Sequence, residues 1–146
     1  MKAGTYVSAS PEETRSLARK FSAALLPGDV ILLHGDLGLG KTCFVQGLAE
    51  GLGWTGAVLS PTFSLLQEYE THPPLAHADL YRLESPEAVY GLGLEELMDD
   101  GFVLAVEWPS RCPQAWPANA WQVRLCAVDG NENARRIELA QGTAAL

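Results

Sequence analysis

The most constraining feature of this chain is a short apolar segment that is followed at once by a glycine-rich turn and a helical pattern. Residues 30–33, Val-Ile-Leu-Leu, form a wholly apolar run between turn residues, which is typical of a strand buried on both faces of a parallel sheet. Residues 35–40 contain three glycines, and apolar residues then recur at helical spacing as far as Leu52, with Gly53 just beyond. The order strand, loop and helix predicts an α/β fold.

The glycine-rich turn, residues 35–42, reads Gly-Asp-Leu-Gly-Leu-Gly-Lys-Thr and matches the P-loop pattern G-x-x-x-x-G-K-[ST]. Glycines allow successive backbone amides to point inward, and the helix N-terminus adds partial positive charge, so such a loop can hold phosphate groups. Lys41 is predicted to reach the β- and γ-phosphates of ATP, and Thr42 to give its hydroxyl to a magnesium ion. The other residues of the turn predicted to contact the nucleotide are Asp36, Leu37, Gly38, Leu39, Gly40 and Cys43.

The three cysteines are odd in number and widely separated, so neither a disulfide framework nor a zinc site is expected. Cys43 stands just inside the predicted helix, where a thiolate would be favoured, and redox sensing is therefore one interpretation. A small buried side chain is the preferred interpretation.

Two acidic residues are candidates to complete the phosphate site. Glu107 ends a second apolar run, residues 102–106, and P-loop hydrolases need an acidic residue at the end of a neighbouring strand to hold magnesium or its water. The alternative is a glutamate that caps the strand or faces solvent. Asp79 is the rival candidate, and Asp79, Glu107 and Lys41 are the predicted catalytic residues.

Alternation in the segment around Asp79 places His77, Asp79 and Tyr81 on one strand face. A polar face of this kind needs water, a partner or a ligand, so Asp79 is a candidate for orienting water or metal. An edge strand with one face open to solvent explains the same pattern equally well. Both interpretations stay open at this point.

The remaining segments give a coarse map of helices and strands. Residues 10–26 are predicted to form an amphipathic helix that begins with a capping box, and residues 85–87 and 94–100 predict further helical starts. Alternating runs at 62–70 and 75–83 predict a hairpin, and residues 121–127 are predicted to pair with 136–140.

Length and composition fit one compact domain over residues 1–146, with 47% hydrophobic and 19% charged residues. No apolar run approaches the roughly 20 residues that span a bilayer, and the first residues lack the apolar core of a signal peptide. A cytoplasmic protein without membrane contact is expected. The net charge of −8 opposes binding to nucleic acid, so contact with RNA is expected only through a partner.

Four motifs in order resemble the TsaE (YjeE) family over almost the whole chain: GDLGLGKT, SPTF at 60–63, HADLYRL at 77–83 and VEWP at 106–109. The resemblance implies a P-loop NTPase fold, with a central mixed β-sheet flanked by helices. It also implies the ATPase subunit of the bacterial machinery that makes threonylcarbamoyladenosine at position 37 of tRNAs. Such a subunit acts on a complex of TsaB and TsaD, and the carbamoyl transfer itself belongs to TsaD.

By the same resemblance, Lys41 and Thr42 bind phosphate and magnesium, and Glu107 is the second magnesium contact. The remaining residues carried over are switch-like or nucleotide contacts: Asp79 and Thr62 near the γ-phosphate, Trp108 beside the nucleotide, and Thr14 and Arg135 outside the P-loop. The sequence departs from the family pattern at Leu39, at Cys43 and at residues 110–112.

Two other functions use the same loop. A small-molecule kinase needs an acceptor pocket and a mobile lid that supplies arginines, and the seven arginines here do not cluster near a glycine hinge. A nucleotide-binding adaptor without hydrolysis would lack a poised water and an effective metal carboxylate, and Asp79 and Glu107 argue against it.

Overall fold

Seven strands form one mixed sheet in the order β1-β7-β6-β2-β5-β4-β3, and four helices flank it. The structure is a computed structural model that describes residues 2–59, 61 and 65–142. The strands are β1 (Gly4–Ser8), β2 (Val30–His34), β3 (Leu66–Tyr69), β4 (Leu75–Asp79), β5 (Val103–Glu107), β6 (Trp121–Val128) and β7 (Asn131–Gln141). The helices are α1 (Pro11–Phe21), α2 (Lys41–Gly51), α3 (Pro86–Tyr90) and α4 (Leu94–Asp99). The predicted α/β class and the mixed sheet flanked by helices are confirmed.

β2 lies inside the sheet and pairs in parallel with β5 on one side and β6 on the other. Because successive side chains of a strand point to opposite faces, its apolar run supplies two cores. Ile31 and Leu33 pack in the core that includes Phe44 and Leu48 of α2, whereas Val30 and Leu32 pack in the core of α3 and α4. The strand predicted at 30–33 is therefore confirmed, with His34 added at its end.

α1 begins where the capping box predicted, because the Ser10 side chain accepts a hydrogen bond from the Glu13 amide at 3.2 Å. The Glu13 carboxylate accepts from the Ala9 amide at 2.6 Å. The helix ends at Phe21, and residues 22–24 form a short 3₁₀ turn, so the prediction of one helix over 10–26 was too long. The Ser22 hydroxyl donates to the Arg19 carbonyl, at the point where the helix tightens.

The predicted hairpin exists as β3 and β4. β3 begins at Leu66, with residues 62–64 of the predicted run lying outside the described residues, and β4 is shorter than predicted. β4 stops at Asp79, because the Asp79 carboxylate accepts a hydrogen bond from the Tyr81 amide at 3.0 Å and turns the chain. β4 also lies between β5 and β3, and His77 and Asp79 are buried. The interpretation of this strand as an edge with one face open to solvent was wrong.

The other half of the sheet is an antiparallel extension of the parallel core. β6 and β7 form the predicted hairpin with a longer ladder than expected, and β1 pairs with the outer side of β7. β1 was not predicted, since its residues are mostly exposed and the segment carries neither an apolar run nor clear alternation.

α1 and α2 cross at two glycines of α2. A methyl group at Gly47 would clash with the Arg15 carbonyl oxygen and lie 2.7 Å from Ala18 Cβ, and one at Gly51 would clash with the Ser22 hydroxyl. The backbones of the two helices therefore approach closely, which fixes the position of α1 against α2. In the part of the chain that the structure describes, no helix combines the length and the apolar character needed to cross a bilayer.

The helix crossing predicts that Gly47→Ala lowers the free energy of unfolding by about 1–3 kcal/mol, since the methyl group meets backbone atoms that cannot rotate away. The intrinsic helix preference of alanine opposes this loss by about 1 kcal/mol. Urea unfolding followed by far-UV circular dichroism measures the change. Gly91→Ala is the matched control, because a methyl group there meets only ordinary contacts at 3.5 Å. An unchanged midpoint for Gly47→Ala would show that the helices do not need this close approach.

Candidate functional site

The glycine-rich turn joins the end of β2 to the first residue of α2. Gly40 is the residue before the helix and has φ of 99°, and Gly38 has φ of 81°, both in the region that favours glycine. A side chain at Gly35 would lie 2.9 Å from the Leu125 carbonyl oxygen of β6. The conformation of the turn therefore requires these glycines, while Asp36, Leu37 and Gly38 are exposed at its tip.

Lys41 is the first residue of α2 and is buried, with 5% of its surface exposed. Its ammonium group lies 4.0 Å from the centre of the Trp108 ring, a cation–π contact. Burial lowers the pKa of Lys41, and the carboxylates of Glu107, Asp79 and Asp36 oppose that shift. A buried cation at the N-terminus of a helix, close to three carboxylates, is therefore the electrostatic centre of the site.

Glu107 and Asp79 are direct neighbours in the sheet, since the parallel register of β4 and β5 pairs Asp79 with Glu107. Both are buried, with 4% and 5% exposed surface. The register of β2 and β5 also pairs Glu107 with Leu33, close to the start of the turn. The interpretation of Glu107 as a solvent-facing cap was therefore wrong, and the two predicted carboxylates lie together at the carboxyl ends of three parallel strands.

The nearest described partner of Glu107 is His77, whose Nε2 lies 2.6 Å from Glu107 Oε2. His77 is fully buried, and its Nδ1 has no hydrogen-bond partner within the described residues. The sequence had placed His77 on one face with Asp79 and Tyr81, and that polar face was expected to meet water, a partner or a ligand; the contact with Glu107 was not predicted. The available clue was that His77 precedes Asp79 by two residues and so shares its strand face. Once β4 lies inside the sheet, a polar side chain on that face cannot be solvated.

Trp108 follows Glu107 and takes a left-handed conformation, with φ of 60°. Its ring packs on Tyr81 at a centroid distance of 4.9 Å, and the Arg111 guanidinium donates to the Tyr81 carbonyl oxygen at 2.8 Å. The turn after β4 and the segment after β5 are thereby joined. Trp108 lies beside Lys41, and its predicted place beside the nucleotide stays a prediction.

Arg135 of β7 reaches the glycine-rich turn from the other half of the sheet. Its guanidinium donates to the carbonyl oxygens of Leu39 at 3.1 Å and Gly38 at 3.4 Å, as well as to those of Glu132 and Ala134. These bonds hold the outer side of the turn. Its predicted contact with nucleotide stays a prediction.

A small cavity of about 110 Å³ lies beside Arg135, and Thr14, Gly38 and Gly40 line it. Thr14 is buried, and its hydroxyl lies 2.6 Å from the Ser8 hydroxyl, which ties the start of α1 to β1. Thr14 and Arg135 therefore line one cavity beside the turn, and their contact with nucleotide, which the resemblance implied, stays a prediction.

A larger cleft of about 430 Å³ opens on the opposite side of the turn, where Lys41 and Trp108 lie. Arg124 and His34 add polar groups to its wall, and His34 lies 2.6 Å from the Gln122 side chain. Burial lowers the pKa of His34, with Arg124 and Lys41 acting in the same direction and the Gln122 hydrogen bond opposing them. The turn is thus bordered by two cavities.

Cys43 is half-buried, and its thiol donates to the Pro11 carbonyl oxygen at 3.1 Å. Burial raises the pKa of this thiol, and the Arg15 charge only partly opposes the effect. The raised pKa argues against the redox-sensing thiolate, and the side chain is half-buried rather than fully buried, as the preferred interpretation had it.

Most predicted residues lie around one turn of backbone. Lys41, Asp79, Glu107 and Trp108 lie on the side of the strand ends, and Thr14 and Arg135 lie on the side of β7. Thr42 follows Lys41 as the second residue of α2. Thr62 and the rest of residues 60–63, apart from Pro61, lie outside the described residues. The catalytic and ligand-binding roles stay predictions.

The donor set fits a phosphate-bound magnesium ion better than a protein-held metal. Among residues 2–59, 61 and 65–142, no three His, Cys, Asp or Glu side chains gather in a way that could hold a metal by themselves. Magnesium is commonly held by one or two protein oxygens together with substrate phosphates and water. Thr42, the second residue of α2, and Glu107, at the end of β5, are the two protein ligands predicted for such a site.

Comparison with known proteins gives consistent results. The family model described as threonylcarbamoyl adenosine biosynthesis protein TsaE matches residues 8–137. Proteins described as tRNA threonylcarbamoyladenosine biosynthesis protein TsaE are similar: one from Rickettsia bellii is 42% identical over 125 residues, covering 84% of this chain and 86% of its own length. Another, from Nostoc sp., is 43% identical over 137 residues, covering 90% and 82%.

A solved structure shows the same fold. The crystal structure of Bacillus subtilis YdiB aligns with a TM-score of 0.82 and 34% sequence identity, covering 97% of this chain and 87% of that one.

The contacts of Arg135 predict that Arg135→Gln loosens the turn, because two of its carbonyl oxygens lose a charged donor. Amide hydrogen exchange in a peptide covering residues 36–40 is expected to be several-fold faster than in the wild type. Arg136→Gln is the matched control, since Arg136 is exposed and its nearest carboxylate is Glu138 at 3.4 Å, in its own strand. Equal exchange in both variants would show that Arg135 does not hold the turn.

The raised pKa of Cys43 predicts slow alkylation of this thiol by iodoacetamide in the folded protein at neutral pH. Since only the thiolate reacts, its rate should stay low until the pH passes the ordinary thiol value, roughly 8.5. Mass spectrometry of the Cys43 peptide, in buffer and in urea, provides the comparison. A native rate equal to the unfolded rate at pH 7.5 would contradict the assigned environment.

Proposed function

Because the chain belongs to the TsaE family of threonylcarbamoyl adenosine biosynthesis proteins, we propose that it is a P-loop ATPase that binds Mg·ATP at residues 35–42. In this proposal it hydrolyses ATP in support of the threonylcarbamoyladenosine modification of tRNA. It works in the cytoplasm, as one P-loop domain. The modification chemistry itself takes place on its partners.

The observation that carries the proposal is the burial of Lys41 at the start of α2, between the glycine turn and the carboxylates of Asp79 and Glu107. An ammonium group in this position, at the positive end of a helix, is suited to bind phosphate oxygens. Desolvation is the main cause of the lowered pKa of Lys41. A polyanionic ligand would place further negative charge beside the ammonium group, which is otherwise balanced by the carboxylates alone.

The magnesium site of the proposal uses the Thr42 hydroxyl and the Glu107 carboxylate. When bound, the ion neutralises negative charge on the phosphate oxygens. The protein groups nearby hold and orient: the turn presents backbone amides, Trp108 covers the ammonium group of Lys41, and the buried strand ends keep bulk water away from Asp79 and Glu107. Asp79 is assigned to orient the attacking water, because it is the other buried carboxylate next to Lys41.

The partners in the proposal are TsaB and TsaD. The net charge of −8 disfavours direct binding of tRNA, so the effect on tRNA is assigned to a protein complex. ATP binding and hydrolysis would then change the fit of this protein to the TsaB–TsaD pair, since a ligand shifts a conformational equilibrium only through different affinities for its states.

The site predicts that Lys41→Ala weakens ATP binding by about 10- to 100-fold, because a charged hydrogen bond to phosphate is lost. Calorimetric titration of the isolated protein with ATP and magnesium measures the affinity. Lys20→Ala is the matched control, since Lys20 is an exposed lysine in the last turn of α1. Wild-type affinity in Lys41→Ala would contradict the proposed site.

Hydrolysis and the role in tRNA modification need a second assay. Wild type, Lys41→Ala and Glu107→Ala are each mixed with TsaB, TsaD, ATP and magnesium, and phosphate release and modified tRNA are measured. Loss of both in the two variants supports the proposal. Saturable binding without phosphate release by the wild type would instead identify a non-hydrolysing adaptor.

A further inference from the structure

We infer that His77 is a positioning residue for Glu107: its ring fixes the carboxylate that the proposed magnesium site requires. The inference rests on the proposed function. His77 belongs neither to the P-loop nor to the proposed magnesium ligands Thr42 and Glu107, and the inference gives it a role.

The register of the sheet makes this contact possible. β4 and β5 run in parallel, with His77 opposite Ala105 and Asp79 opposite Glu107. His77 and Glu107 therefore share one face of the sheet, and His77 lies two residues deeper. Its ring reaches forward along that face, and Nε2 comes to 2.6 Å from Glu107 Oε2.

Burial makes the contact necessary. Glu107 is 4% exposed and His77 is fully buried, so water cannot take the place of either partner. A carboxylate oxygen accepts hydrogen bonds, so Nε2 is the donor in this contact. His77 Nδ1 has no partner among the described residues, so Glu107 is the group that holds the ring.

The hydrogen bond divides the two oxygens of Glu107 between two tasks. Oε2 accepts from His77, and this fixes the side-chain rotation, leaving Oε1 as the oxygen for a cation. Among the carboxylates that oppose the lowering of the Lys41 pKa, Glu107 has the largest effect. Glu107 therefore also lies close to the phosphate turn. Residues that orient a metal ligand through a second hydrogen bond typically change metal affinity by about 10- to 100-fold when removed.

A purely structural role is the competing explanation. In that case His77 only satisfies a buried carboxylate, and its removal would lower stability and disturb the whole site. The two roles differ in what happens to magnesium dependence. A positioning residue changes the magnesium requirement and leaves the affinity for nucleotide without magnesium nearly unchanged.

The experiment compares His77→Gln with His77→Asn. The Gln amide nitrogen can occupy the place of Nε2 and donate to Glu107, whereas the shorter Asn amide cannot reach it. Equilibrium binding of ATP is measured against magnesium concentration, and again with chelator, so the readout is independent of turnover. Thermal unfolding of each variant reports its stability.

We expect His77→Asn to raise the magnesium concentration for half-maximal binding by about tenfold or more, and His77→Gln to stay within about threefold of the wild type. Binding in chelator should change by less than about twofold in both. In a Glu107→Gln background, where the metal carboxylate is already lost, His77→Asn should add little.

Equal magnesium dependence in wild type, His77→Gln and His77→Asn would overturn the inference while leaving the proposed function intact. A parallel loss of affinity with and without magnesium would also overturn it, in favour of the structural role. If the wild type itself shows no saturable binding of Mg·ATP, the proposed function fails first. Should His77→Asn not fold, His77→Met, which matches glutamine in length but cannot donate to Glu107, is compared with His77→Gln in the same assay, and equal magnesium dependence in these two variants would overturn the inference.

Discussion

The burial of one cation beside two carboxylates is the interaction on which the rest of this structure depends. Lys41, Asp79 and Glu107 are each about 95% buried, and an isolated charge in such a place costs several kcal/mol. Lys41 offsets the charge of both carboxylates, and Glu107 also accepts a hydrogen bond from His77. The three charged residues come from three different elements, so the strands must pair in register and α2 must begin at the end of β2 before any of them is stabilised.

The apolar parts of the sheet make that register unambiguous. A shift of β5 by one residue against β2 would move Glu107 to the other face, into the core where Val106 and Leu104 pack with α3 and α4. The close crossing of α1 and α2 at Gly47 adds a second restraint, because it fixes α1 relative to the helix that begins at Lys41. Packing energy and charge placement therefore favour the same arrangement.

The sequence predicted those parts of the site that depend on local pattern. The turn needs glycines at fixed spacing, and Glu107 ends an apolar run, so both could be recognised without a structure. The partners of these residues could not, because His77 and Glu107 are 30 residues apart and Arg135 is 96 residues from Leu39. Such contacts depend on strand order, and nothing in the sequence near His77 distinguishes an interior strand from an edge strand. β1 was missed for a related reason. It is an exposed segment without hydrophobic periodicity, and its pairing with β7 makes it a strand.

The two halves of the sheet hold different atoms of the same turn. From the antiparallel half, Arg135 binds the carbonyl oxygens of Gly38 and Leu39; from the parallel half, Trp108 and the carboxylates hold Lys41. A turn that is held from both sides loses little further conformational freedom when a ligand binds. Because the entropic cost of ordering the turn is then smaller, the same contacts give a higher affinity. The antiparallel strands therefore contribute to the site through Arg135, although the strands themselves lie away from its centre. The two halves meet where β6 pairs with β2, the strand that leads directly into the turn.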